Sequence, residues 1–450
     1  MSCQSNSNQH GNNATAPSPA IAPGAEGIDV VAYARMLGSR PQGPIDPRVP
    51  ALVPGFDAPF FQAGLCGYSD APMRLVARKH GCPMCVTEAL LDRTLLAGGR
   101  GFAKADLGDV EDNVPGGELD HPLTGQIMGS EPREMAAAAI KMIEQGRRNE
   151  KAYRTLAYAV DGVLPSTHVS AGQHLRLPGG QQVGFYNPLE GLKPGAEAGS
   201  VIGAMPDEGK TFEVIDVNLA CPVKKIDKKA RGGHWLTEPD GAIEILEAVR
   251  EAVPAEIPCT VKLRRSYDDS PQMIENFHRI FDAAYEMGYA WTTVHARTVE
   301  QRYVGPSRWA FLKALREMHP ERMFFGSGDI WNAADIFRML AYTGVTGVSV
   351  ARGCIGNPWI FRQARDMLAG LPPRAPTIAE QREVLLEHFT LALAAGKRMK
   401  HSEEATALTM RKFGIRFAEH HPDGEKVRRE FIGVKGMEDW SGVLERWYED

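Results

Sequence analysis

The chain has 450 residues, 43% hydrophobic and 24% charged, with a formal net charge of −5 at pH 7. That is ordinary for a soluble globular protein, and no run approaches the roughly 20 apolar residues that span a bilayer. The net charge gives no global support for nucleic-acid binding, so such support must come from local patches. Cys3, Cys66, Cys82, Cys85, Cys221, Cys259 and Cys354 are scattered over the chain, which points to a reducing cytoplasm rather than a disulfide framework. The first residues show no basic stretch followed by an apolar core, so no secretory signal is expected.

In chain order, residues 1–48 are mostly Ser, Asn, Gln, Pro, Ala and Gly, and are expected to be a disordered extension, with at most a short helix over Ile28–Leu37. From Ala58 short apolar runs alternate with amphipathic stretches. Strands are expected near Phe60–Ala63, Met84–Thr87, Thr124–Met128, Val214–Asn218, Cys259–Leu263, Thr292–His295, Met323–Gly326 and Gly347–Val350. Helices are expected over Ala71–His80, Pro132–Gln145, Gly241–Val253, Met273–Met287, Trp309–Met318, Ala333–Tyr342 and Pro358–Leu368. This alternation predicts an α/β fold with a parallel sheet. Eight strands favour closure into a (β/α)8 TIM barrel over residues 49–370; an open doubly wound sheet is the alternative, because periodicity does not show closure. Residues 147–211 break the spacing and read as an insertion, either functional or disordered, with a hairpin around Gln182–Tyr186. After Pro372-Pro373 the pattern turns helical, which predicts a C-terminal all-α domain over residues 375–450.

In such a barrel chemistry sits at the C-terminal ends of the strands. There the sequence places Gly64-Leu65-Cys66-Gly67, then Gln126, then Asn218-Leu219-Ala220-Cys221-Pro222, Lys262-Leu263-Arg264 and His295-Ala296-Arg297. Ser327-Gly328-Asp329 and Ala351-Arg352-Gly353 follow the last two strands, the common phosphate site of these barrels. Lys262 and Gln126 suit the polar edge of an isoalloxazine ring. No dinucleotide-binding glycine fingerprint follows a strand, so a nicotinamide nucleotide is expected only as a transient reductant. Cys221 leads into Lys224, Lys225, Lys228, Lys229 and Arg231. Nearby cations favour a thiolate and attract phosphates; the plain alternative is a small buried hydrophobe. Cys82 and Cys85 have thioredoxin-like spacing but lack its context and a second pair for zinc, so they are read as structural.

The string VIDVNLACPVKKIDKKARGGHWL, from Val214 to Leu236, closely resembles the signature segment of the tRNA-dihydrouridine synthases. QIMGSEP precedes it, and TVKLRR, TVHARTVEQRYVGPSRW, FFGSGDIW and GVSVARGCIGNPWIF follow in the family's order. The resemblance covers about Ala58–Gln363, with a weaker match in the C-terminal helices.

It implies FMN across the barrel mouth, with Leu65, Gln126, Lys262 and His295 toward the ring and ribityl chain. Ser327, Gly328, Asp329, Ala351, Arg352 and Gly353 would be at the phosphate. It implies NADPH as reductant, hydride transfer to C6 of a flipped-out uridine in tRNA, and Cys221 as the acid that protonates C5. Asn218, Lys224, Lys225, Arg264 and Arg297 would meet base or phosphates, and the C-terminal helices would recognise RNA. No membrane partner and no bound metal are expected; a monomer is the default. The chain departs from the family at Gly64, where a proline is usual, at Ser327, where an asparagine is common, and in the insertion. The competing readings are an FMN barrel oxidoreductase acting on a small pyrimidine-like molecule, and an RNA-binding protein that has lost catalysis.

Overall fold

Eight short, mostly buried segments form the inner wall: β1 (Phe60–Gln62), β2 (Cys85–Val86), β3 (Leu123–Met128), β4 (Val214–Leu219), β5 (Cys259–Arg264), β6 (Trp291–His295), β7 (Phe324–Ser327) and β8 (Gly347–Val350). They belong to a computed structural model that describes residues 24–96, 118–147, 175–176, 182–183, 212–223, 226, 229–398 and 402–449. Every neighbouring pair is parallel, β1 also pairs with β8, and β2 with β3, so the ring is closed. Closure settles the choice between barrel and open sheet. Leu90–Leu91 adds a two-residue strand outside β3. β4 is buried along its whole length, as expected for a strand with a helix layer on one side and the lumen on the other.

The helices start where their sequences supply caps. In α3 (Ala71–Lys79) the Asp70 carboxylate accepts from Met73 N–H. In α7 (Pro271–Glu286) Ser270 does the same for Met273, and α9 (Ala333–Thr343) opens with an Asn332–Asp335 capping box. Alongside them lie α4 (Asp92–Leu96), α5 (Pro132–Arg147), α6 (Pro239–Ala252), α8 (Trp309–Met318) and α10 (Trp359–Leu368).

Residues 24–48 depart from the expected disorder of residues 1–48, and the short helix expected over Ile28–Leu37 is present. Val30–Gly38 forms α1, capped by Asp29, with Ala34 and Leu37 buried against α9 and α10. Gly38 allows that contact: a Cβ there would lie 1.9 Å from the Leu368 carbonyl oxygen. Further on, α2 (Arg48–Leu52) and its flanks carry Ile45, Val49, Val53 and Phe56 into the bottom of the barrel. Phe56 packs on Phe325 and Trp291 with ring centroids 5.7 and 6.4 Å apart, closing the end opposite the site.

Of the insertion, the structure describes an antiparallel pairing of Leu175–Arg176 with Gln182–Val183; residues 148–174, 177–181 and 184–211, with the rest of the hairpin expected around Gln182–Tyr186, lie outside the described residues. At the C-terminal end α11 (Ile378–Arg398) packs on α3 and α12 (Glu403–Phe417) packs on the barrel, while α13 (Gly424–Gly433) and α14 (Met437–Trp447) pack against α12. Phe417 meets Trp359 of α10 at 5.1 Å, and Phe413 meets Tyr68 at 5.6 Å. Lys412 of α12 donates to the Gly67 carbonyl and sits over the Tyr68 ring at 5.0 Å.

Candidate active site

The strand ends gather the expected groups around one mouth, and the two sides of that mouth differ. On the β3–β5 side the register sets Gln126 beside Asp216, and Asn218 beside Lys262. All four point inward because residues two apart share a face. Thr260 Oγ1 donates to Asp216 at 2.6 Å, and Gln126 Nε2 donates to the other carboxylate oxygen at 2.7 Å. Asn218 Nδ2 donates to Gln126 Oε1 at 2.8 Å, and Ala220 N–H donates to Asn218 Oδ1 at 2.9 Å. Ala220 is the residue before Cys221. Burial pushes the Asp216 carboxyl up to about 6, against the opposing pull of its hydrogen bonds and Lys262. Burial and then Arg264 hold the Lys262 ammonium below its usual value.

Cys221 is half-buried, packed against the cluster of Ala89, Leu91, Met128 and Ile226. Gly233 N–H donates to its carbonyl at 3.0 Å, and a Cβ on Gly232 would lie 2.8 Å from the Cys221 Cβ. The following basic run is only partly visible: Lys224, Lys225 and Lys228 lie outside the described residues. Its last member, Arg231, turns inward and pairs with buried Asp92 at 3.3 Å, so it anchors the loop's return.

Arg264 and Arg297, expected at base or phosphate, commit much of their guanidinium to backbone. Arg264 donates to the carbonyls of Ala220, Thr298 and Arg302 at 3.0, 2.7 and 2.7 Å. Arg297 donates to Gly305 O at 2.6 Å and to both Asp329 oxygens at 2.6 and 2.7 Å. Together they brace the loop of residues 298–306 from beneath. Its tip carries Tyr303, 53% exposed, whose ring lies 5.6 Å from the Arg264 guanidinium.

On the β6–β8 side, polar groups are left open. His295 Nδ1, Arg297 Nη1 and Ser307 Oγ are buried with no hydrogen-bond partner among the described residues. Ser307 and His295 lie against Gly328, whose φ is +119°: a Cβ there would lie 2.1 Å from Ser307 Oγ and 3.0 Å from His295 Cε1, and Arg297 is held beside it through Asp329. A Cβ on Gly353 would lie 2.2 Å from Ile330 O. No hydrogen bond from the backbone N–H groups of Gly328 and Asp329 occurs among the described residues, and Arg352 and Gly353 open the 3-10 turn Arg352–Cys354, where the first N–H groups have no partner within the turn. Buried Ser327 and half-buried Ala351 lead into these two turns. The Asp329 carboxylate holds Arg297 and accepts Ser307 N–H at 2.7 Å, so what Asp329 has left to offer the pocket is its backbone N–H. Arg352 is sandwiched between Trp331 and Tyr303, 4.8 and 5.0 Å from their centroids. Burial, then the neighbouring cations beginning with Arg264, hold His295 well below the usual imidazole value, so it is neutral at pH 7.

The first turn explains one departure in sequence. A Cβ on Gly64 would lie 2.4 Å from Thr87 O and 3.0 Å from Gln126 Oε1, so no proline fits there. Leu65 N–H donates to Ser69 Oγ at 2.8 Å, leaving its side chain at the rim. Asp216 and Ser307 were not anticipated. Asp216 was findable, two residues before Asn218 on a strand; Ser307 becomes significant only through its contact with Gly328.

A closed parallel barrel with an anion-type nest after β7 and β8, and a cysteine after β4, defines a class of barrel enzymes. Residues 204–443 match the family model described as dihydrouridine synthase (Dus), and the chain belongs to that family. A probable tRNA-dihydrouridine synthase of Mycobacterium leprae is 32% identical over 243 residues, 53% of this chain and 61% of that one. A tRNA-dihydrouridine synthase B of Shewanella oneidensis is 30% identical over 53% of this chain and 70% of its own. The chain spans 61% and 58% of the first two mycobacterial relatives it matches. Among solved structures, a 2-naphthoyl-CoA reductase complex is similar at 12% identity and TM-score 0.39, covering 70% of this chain and 50% of that one. A morphinone reductase complex is similar at 11% identity and TM-score 0.35, covering 72% and 89%.

Proposed function

We propose that this chain is an FMN-dependent tRNA-dihydrouridine synthase, a flavin oxidoreductase that reduces uridine in tRNA with NADPH as reductant. The observation that carries the reading is the pairing of an open polar nest with a cysteine across one mouth. The residues present fit FMN. His295 Nδ1 and Ser307 Oγ are orphaned and buried on residues that line a cradle a Cβ on Gly328 would fill, and Arg297 Nη1 is a third orphaned atom on the residue paired with Asp329. The open N–H groups of Gly328, Asp329, Arg352 and Gly353 suit a phosphate, and stacked Arg352 adds charge.

Bound FMN, once reduced, supplies the hydride equivalent that goes to C6 of uracil. Lys262 and Gln126 would hold the polar edge of the ring, with the cation favouring electron-rich states. Neutral His295 offers a hydrogen bond without adding a charge. Cys221 would hold the proton that C5 receives, on the side of the mouth where the Asn218 amide orients the base. Both partners must reach one base, so the uridine leaves its stack. Tyr303 on its braced loop and the C-terminal helices would border the RNA. No described helix is long and apolar enough to cross a membrane; we place the activity in the cytoplasm, with tRNA as partner.

The test is to incubate FMN-loaded protein with NADPH and unmodified tRNA, and to map dihydrouridine by nucleoside mass spectrometry. Dihydrouridine at a defined position supports the reading. Reducible flavin with no product on tRNA would move the substrate to another RNA or a small pyrimidine.

A further inference from the structure

We infer that Asp216 is a positioning residue that fixes which way the Gln126 and Asn218 amides point, and through them the seat of Cys221. The inference deepens the proposed function and rests on it only where FMN enters.

The two ends of the hydrogen-bonded chain differ in what they can do. An ionised carboxylate only accepts, and a backbone N–H only donates. Asp216 stands at one end, the Ala220 N–H at the other, with two primary amides between them. An amide can be turned over, so its orientation is set by its partners. Facing Asp216, Gln126 must present Nε2; its Oε1 then faces Asn218, which must present Nδ2, and Asn218 Oδ1 is left for Ala220 N–H. Only this arrangement satisfies every link. Thr260 Oγ1 occupies the second carboxylate oxygen at 2.6 Å, which holds Asp216 in place.

The polarity has a consequence for ligands. Gln126 Oε1 and Asn218 Oδ1 each already accept one hydrogen bond, and the free donor on each amide is its second N–H. Those N–H groups suit acceptors, such as the carbonyl oxygens of an oxidised flavin or a pyrimidine. Asp216 touches no ligand in this scheme. It lies one inward layer below Asn218 and Lys262, against a small cavity lined by Gln126, Asp216, Thr260 and Lys262. The far end of the chain, Ala220, is also held through its carbonyl by Arg264 Nε at 3.0 Å, so the residue before Cys221 is fixed on both sides of its peptide.

The experiment removes the acceptor and keeps the volume: Asp216→Leu, compared with Asp216→Asn, which retains an oxygen for Gln126. Asp216→Ala replaces the leucine variant should that one not fold. The first readout needs no cofactor: the rate at which iodoacetamide alkylates Cys221 in folded apoprotein, read by mass spectrometry. D216L is expected to change it severalfold or more, and D216N to leave it within about twofold, because the buried hydrogen bond is lost in one and kept in the other. The second readout is FMN affinity. D216L and Gln126→Leu are each expected to raise the Kd about tenfold, and the double variant to be no worse than Q126L alone, the non-additivity of residues acting in one network. Unchanged Cys221 reactivity in D216L, additive losses of FMN affinity, or D216N behaving like D216L would overturn the inference. Wild-type protein that shows the alkylation pattern but makes no dihydrouridine would count against the proposed function and leave the role of Asp216 standing.

Discussion

On the β3–β5 side of the mouth, the polar atoms of Asp216, Gln126 and Asn218 are engaged with one another. On the β6–β8 side, His295 Nδ1, Arg297 Nη1 and Ser307 Oγ are buried with nothing to bond among the described residues. Burying an unpaired polar group costs about 1–3 kcal/mol, so a folded protein that keeps three together pays for a ligand's arrival in advance. The paired side needs no ligand to hold its shape. The difference separates two tasks: one side is prepared to orient chemistry, the other to take an anion.

The largest expected effect breaks the paired side at its end. Cys221→Ala should lower dihydrouridine formation by about 10²-fold or more, the usual range for a lost general acid. FMN binding and its reduction by NADPH should be unchanged, since Cys221 lies across the mouth from the nest. A variant with full activity on tRNA would remove the proton-donor assignment.

A smaller effect sharpens the comparison at the seam near β2. Buried Glu88 accepts Gly67 N–H at 2.9 Å. Burial chiefly, with Asp70 adding to it, pushes its carboxyl up to about 7, against Gly67, Lys412 and Arg74. The folded state thus binds a proton between pH 4.5 and 7 that the unfolded chain does not, so stability associated with Glu88 is present below pH 4.5 and lost as pH rises through 7. Glu88→Gln keeps an acceptor for Gly67 without the charge. Denaturant unfolding should show the variant more stable by roughly 2–3 kcal/mol at pH 8, with the gain gone by pH 4.5. A gain that is constant across pH would contradict desolvation of the Glu88 carboxylate as its cause.

Much of the barrel was legible because each parallel strand is an apolar run ended by glycine or a polar group, and the helices carry recognisable caps. The strand ends also gave Gln126, Asn218, Lys262 and His295 in order. Charge was a poorer guide. The sequence shows that Arg264, Arg297 and Asp329 are charged, but not that two guanidiniums bind loop carbonyls and the carboxylate binds one of them. Composition also misled over residues 24–48, where a polar, proline-rich context hides Ala34 and Leu37 on one face of a short helix. Ser307 needed the fold, since a chain distance of twenty-one residues separates it from Gly328 and only the closed barrel brings them together.

The most direct test of the division between the two sides is a titration of apoprotein with FMN and with riboflavin, which differ only by the phosphate. Charge-assisted hydrogen bonds to the nest should make FMN bind about 100-fold tighter or more. Gly353→Ala, which sets a Cβ 2.2 Å from Ile330 O, should erase most of that difference while leaving riboflavin affinity nearly unchanged. Equal affinity for the two flavins in the wild-type protein would contradict the division, because the unpaired groups after β6 to β8 would then have no anion to meet.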